Sequence, residues 1–176
     1  LVYITNNSDP EYMDRDILYS ILDKGPKRAS AYWFIHIQVT DEPFTSDYTV
    51  ESYGTDYVFF VTIRLGFKVP QRVNVYLRQI ISDLVATGAL PQQVRKYSIY
   101  KNATTGSFRF YHIRKTLAPE SDISHLQKLA VRLKYKIRKM AGSPDKWYGL
   151  ENSNLVIEYV PLFIRSKHFN PFVKTK

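Results

Sequence analysis

The ten residues from Ala31 to Thr40 constrain the fold more than any other stretch of the chain. β-Branched and aromatic residues alternate there, with Trp33, Ile35, Ile37 and Val39 on one face and Tyr32, Phe34, His36 and Gln38 on the other. A period of two marks a strand, because successive side chains leave a pleated backbone on opposite sides. The chain must therefore build a sheet. A second long strand is expected from Tyr57 to Phe67, and Gly66 inside it points to a bulge or to close approach of another backbone.

Around these two runs the punctuation is regular. Leu1 to Thr5 reads as an opening strand. Asp9-Pro10 then supplies an N-cap and a first-turn proline for a helix carrying Met13, Ile17 and Ile21, which stops at Gly25-Pro26. Asp41-Glu42-Pro43 breaks the Ala31 strand, and a short segment from Tyr48 to Tyr53 turns at Gly54 into the second long one. Pro70 opens a helix whose apolar positions Val73, Leu77, Ile80, Ile81, Leu84 and Val85 keep helical spacing as far as Gly88.

Two short strands, Tyr97 to Tyr100 and Phe108 to Ile113, are expected to pair as a hairpin across Asn102 to Gly106. Ser121 and Asp122 cap a third helix with Leu126, Leu129, Ala130, Leu133, Ile137 and Met140 facing inward. A final strand runs from Leu155 to Ile164. The order β-α-β-β-β-α-β-β-α-β predicts an α/β or α+β domain, with a mixed sheet of about six or seven strands covered by three helices. Residues 1–165 form one domain in this reading, and 166–176 a polar tail.

A chain of 176 residues normally closes around one core, removing roughly 70% of the unfolded chain's surface. With 44% hydrophobic residues, including 14 Tyr and 10 Phe, it does not belong to the disordered class. It has no cysteine, which rules out disulfides and thiolate metal sites and suits a reducing compartment. No run reaches the roughly 20 apolar residues that span a bilayer. The chain starts directly on a strand with neither an initiator Met nor a leader, as if excised from a longer protein.

Motifs for chemistry are missing from the sequence: it holds no P-loop, no G-x-G-x-x-G after a strand and no G-x-S-x-G elbow. His36, His112, His125 and His168 lack metal-ligand spacing. His36 with Asp41 and Glu42 reads as a strand and its solvated end rather than as an acid–base pair. No metal, no cofactor and no catalytic residue are expected.

The net charge of +9 and a pI near 9.6 favour polyanions as partners. The charge concentrates in the third helix, where Lys128, Arg132, Lys136 and Lys139 form one stripe with no acid between Leu126 and Met140. Such a stripe is either a docking face for anionic lipid, nucleic acid or a partner, or the solvated side of an amphipathic helix. The aromatic residues follow core alternation instead of a nucleic-acid-binding pattern, so nucleic acid is not expected. The charge alone leaves a stand-alone module for an anionic ligand, nucleotide or nucleic acid, as the alternative reading.

Tyr32 to Thr45, with its core Trp33-Phe34-Ile35-His36-Ile37-Gln38-Val39-Thr40-Asp41-Glu42-Pro43, resembles a run in the C-terminal domain of Kup/HAK/KT potassium transporters. The likeness continues in order through Tyr19 to Ala29, Arg64 to Val69, Arg72 to Val75, Asp83-Leu84-Val85, Phe108-Arg109-Phe110, Tyr148-Gly149-Leu150 and Val160-Pro161-Leu162. It covers most of the chain, from Leu1 to about Ile164. The resemblance implies a non-catalytic cytosolic domain hung from a multi-helix permease that imports potassium with protons across the inner (plasma) membrane. It also implies assistance in homodimerisation, gating or regulation, with cyclic di-AMP as a regulator that maps to no residue here. If an anion binds, Arg64 at the end of a strand and Arg72 at the start of a helix are the arginines to test; each is equally a candidate for a structural salt bridge.

Overall fold

The computed structural model describes residues 1–25, 27–92, 105–117, 126, 129–131, 133 and 144–162. Among these residues six strands make one sheet: β1 (Val2–Thr5), β2 (Tyr32–Thr40), β3 (Ser46–Glu51), β4 (Val58–Gly66), β5 (Phe110–Leu117) and β6 (Leu155–Leu162). Alongside them stand α1 (Arg15–Leu22), α2 (Val73–Ala86) and the single turn α3 (Pro144–Trp147). The strand order is β3-β4-β2-β1-β5-β6, with every neighbouring pair parallel except the β3–β4 hairpin at one edge.

Alternation along the strands gives each face of this sheet its own core. Trp33, Ile35, Phe59, Val61, Ile63, Leu65 and Phe110 meet α2 through Val73, Leu77, Ile80 and Ile81. Tyr3, Phe34, Phe60 and Tyr111 face the other way and enclose Ile17 of α1. A largely parallel sheet with a helix on each side is an α/β architecture, which decides between the two expected classes. Leu77 and Ile35 are fully enclosed, the position at which truncation to alanine costs most.

Gly66 allows close approach of another backbone. A Cβ there would lie 2.4 Å from the carbonyl oxygen of Glu42 and 2.5 Å from Pro43, while its N–H donates to Thr45 O at 2.7 Å. The segment after β2 thus folds across the end of β4, with no room for a methyl group. Pro161, which would break a central ladder, sits on the edge strand β6.

The structure corrects several expected boundaries. Asp9 does not cap α1: its carboxylate accepts the N–H of Glu11 at 2.9 Å, and its own N–H donates to Asn7 Oδ1 at 3.2 Å. These local side-chain bonds form a turn, and the helix starts five residues later, with Asp14 as N-cap. The Phe108 strand begins at Phe110 and extends to Leu117, lying parallel between β1 and β6; Tyr97 to Tyr100 lies outside the described residues. In the expected third helix, residues 126, 129–131 and 133 are helical, but Leu126, Leu129 and Leu133 do not face inward. They are 80%, 63% and 56% exposed. Residues 163–176, including the tail, lie outside the described residues.

Candidate functional site

A parallel sheet offers a crevice where its strand order reverses, at the carboxyl ends of the strands. From β1 the chain moves outward to β2 and β4, then crosses through α2 to β5 on the other side. The reversal therefore falls between β1 and β5. These two pair only through Val2–Phe110 and Tyr3–Tyr111, and β5 continues past the end of β1.

The resulting cleft holds about 170 Å³ and is lined by Asn6, Asp14, Asp16, His112, Lys115 and Tyr148, with Ile4, Ile17 and Ile113 at its base. The loop leaving β1 is firmly tied. Thr5 Oγ1 donates to Asp14 Oδ2 at 2.6 Å and accepts the N–H of Asn7 at 3.0 Å. With its carboxylate so engaged, Asp14 caps α1 through its main chain, its carbonyl accepting from Ile17 and Leu18. Asp16, in the first turn, is 2.6 Å from Lys115 Nζ on β5, and this pair ties α1 to the far side of the switch point.

The chemistry of the crevice follows from these charges. Two carboxylates occupy the positive end of α1 and offset its dipole. A phosphate entering where such folds usually hold nucleotides would meet like charge. The first loop also lacks the glycines of a phosphate cradle, and the two features agree.

A second polar cluster joins α1 to β6. Glu158 is held by Lys27 at 3.2 Å and Lys24 at 3.7 Å and accepts from the Ser20 hydroxyl. Lys27 Nζ also lies 5.3 Å above the Tyr111 ring. Ser20 is fully buried, and Tyr3 OH lies 3.4 Å from its hydroxyl. Burial pushes the Tyr3 phenol up to about 12.

The two arginines expected to share an anion are not brought together. Arg64 has the strand parity of Phe60 and so stands on the α1 face, where it pairs with Asp47 at 3.6 Å across the β3–β4 hairpin. Arg72 is the exposed N-cap residue of α2, on the opposite face. Beside it, Tyr148-Gly149-Leu150 supplies the cap that Arg72 does not: Tyr148 O accepts the N–H of Val73 at 3.1 Å. Leu150 is buried, and Gly149 has φ +61° with its α-carbon face against Gln71 O. Lys128, Arg132, Lys136 and Lys139 lie outside the described residues.

Sequence reasoning missed Asp14, Asp16, Lys115 and the Glu158 cluster. The only local signal was an acidic residue ahead of a helix. Ser20 and Glu158 are 138 residues apart, a separation at which no spacing rule applies.

Residues 1–160 match the family described as K+ potassium transporter C-terminal domain. Among curated proteins, the chain is 46% identical over 166 residues to a probable potassium transport system protein Kup of Clostridium perfringens, covering 94% of this chain and 25% of the relative. It is 46% identical over 168 residues to the Kup 1 protein of Bifidobacterium longum, covering 95% of this chain and 28% of the relative. It is 42% identical over 176 residues to the Kup protein of Enterococcus faecalis, covering 100% of this chain and 26% of the relative. The chain thus spans about a quarter of the length of the relatives it matches. No solved structure matches it.

Proposed function

The chain belongs to the potassium transporter C-terminal domain family, and from that premise we propose that it is the regulatory and assembly domain of a proton-coupled potassium uptake permease. The observation that carries this reading is the ratio of coverage. The relatives named as potassium transport proteins match nearly all of this chain, while it accounts for only about a quarter of each of them. No helix among the described residues is long and apolar enough to cross a membrane. Ion permeation then belongs to the remaining three quarters, and this domain sits beside the pore on the cytoplasmic side of the plasma membrane.

In this reading the domain is non-catalytic. The paired charges of the switch-point crevice hold α1 against β5, and the exposed surfaces serve contacts with the permease and with a second subunit. The basic stripe at Lys128, Arg132, Lys136 and Lys139 faces anionic lipid of the inner leaflet, where each cation close to the surface contributes about 1 kcal/mol.

The test is a full-length transporter cut just before the residue equivalent to Leu1. The reading expects membrane insertion to survive, while rubidium uptake, its regulation or the dimer fraction changes. Unchanged uptake, regulation and assembly in the truncated protein would defeat it.

A further inference from the structure

Among the described residues β3 is an outer strand of the sheet, and one hydrogen bond fixes the direction of its main-chain groups. Gly66 N–H donates to Thr45 O at 2.7 Å, and the register of Ser46 with Leu65 sets Thr45 opposite Gly66. Bonded and non-bonded positions alternate along an antiparallel pair. Asp47, Thr49 and Glu51 therefore bond into β4, whereas Ser46, Tyr48 and Val50 turn their N–H and C=O groups outward. Such an edge is a template for a further strand.

The two edges of the sheet are not equally open. β6 carries Pro161, and Lys24 Nζ donates to Tyr159 O; proline and lysine both discourage pairing. β3 has neither, and its six residues keep register with β4 without a bulge. Beside it, between β3 and α2, lies a cleft of about 320 Å³ lined by Tyr48, Ile63, Leu65, Tyr76, Gln79 and Ile80. An open strand with a groove alongside suits strand addition, in which main-chain bonds supply affinity and pockets for alternate side chains supply specificity.

We propose that the outer edge of β3 and the cleft beside it receive an extended, lysine- or arginine-bearing segment of the permease part of the protein as an added strand.

Charge selects this occupant. Ser46, Tyr48 and Val50 share the α2 face with Ile63 and Leu65. A residue opposite Tyr48 would lay its side chain toward Tyr48 and Tyr76, beside Asp83, which accepts from Tyr48 OH at 2.8 Å. Its neighbours in the added strand would turn to the other face, toward Asp47 and Glu51. Asp47 is already paired with Arg64 at 3.6 Å, whereas exposed Glu51 joins no ion pair among the described residues. No described residue lining the cleft is basic, in a chain whose net charge is +9. Carboxylates and tyrosine faces both attract a lysine or arginine side chain. The source rests on the proposed function: a domain on the cytoplasmic side meets permease loops, and cytoplasmic loops are enriched in Lys and Arg. About three quarters of each relative's length lies outside this chain.

The experiment follows amide hydrogen exchange in the ¹⁵N-labelled 176-residue chain titrated with a blocked hexapeptide of alternating lysine and valine. Binding should saturate with a dissociation constant on the order of 0.1–1 mM for so short a probe. At about ten times that concentration the Tyr48 and Val50 amides should exchange about tenfold more slowly, and Thr49, already bonded to β4, should change little. The glutamate counterpart, and the lysine peptide N-methylated at every residue, should protect neither amide. Asp83→Asn and Glu51→Gln should each weaken binding about threefold. Val50→Pro removes an outward N–H while sparing the β4 ladder and should abolish binding.

Unchanged exchange at Tyr48 and Val50, or equal protection by the N-methylated peptide, overturns the added strand. Protection that grows with the concentration of the chain itself, without peptide, would put a second copy on the edge and overturn the choice of occupant. In the full-length transporter Val50→Pro should reproduce part of the change in rubidium uptake caused by truncation before Leu1. A truncation effect with a silent Val50→Pro overturns this inference and leaves the regulatory reading intact, whereas a truncation without effect on uptake, regulation or assembly defeats that reading whatever the peptide does.

Discussion

Glycine 66 shows how one residue type fixes a local arrangement. Its missing side chain lets Glu42 and Pro43 cross the end of β4, so Gly66→Ala must displace main chain and should cost about 1–3 kcal/mol, as overpacking does. Chemical denaturation would measure it. Gly149 combines two constraints, a left-handed φ of +61° and a Cβ position 2.6 Å from Gln71 O; Gly149→Ala should cost at least as much and should loosen the start of α2.

Elements here are held by contacts far apart in the chain. α1 is only eight residues long, too short to persist by itself. It is kept in place by Ile17 in the second core, by Asp16–Lys115 and by the Glu158 cluster. These bonds differ in weight. Asp16–Lys115 is a partly exposed pair worth about 0–1 kcal/mol, whereas Glu158→Ala leaves the nearly buried Lys27 without its counter-charge, with only Ser20 and the Tyr111 ring beside it, and should cost about 2–4 kcal/mol. Urea unfolding of Asp16→Asn and Glu158→Ala should show that ranking, and equal losses would contradict it. α2 was the most legible element, because its apolar period matches the buried stripe Val73, Leu77, Ile80 and Ile81. Its true start at Val73 was not legible, since the cap comes from Tyr148, 75 residues away by number.

At the scale of the whole molecule, the two ends of the sheet are electrostatically unlike. The carboxyl end presents Asp14 and Asp16, and the amino end presents Arg28 and Arg109. On the proposed function, the basic stripe adds a third surface. Replacing Lys128, Arg132, Lys136 and Lys139 with glutamine should reduce association with anionic vesicles by orders of magnitude, at about 1 kcal/mol for each charge. Vesicle co-sedimentation at low and high salt would measure this, and unchanged binding would remove the lipid from the reading.

Alternation from Ala31 to Thr40 and the helical period from Val73 to Val85 sufficed to place a sheet and its covering helix, because periodicity records which face of an element is buried. The ordered run of motifs sufficed for the family. Tertiary structure alone decided that β1 lies between β2 and β5, that Arg64 and Arg72 are on opposite faces, and that Arg28 and Arg109 line one cleft at the amino end of the sheet. Strand order and cross-sheet neighbours depend on how crossovers pack over long separations, and a one-dimensional pattern of apolar and charged residues does not encode which distant pairs will meet.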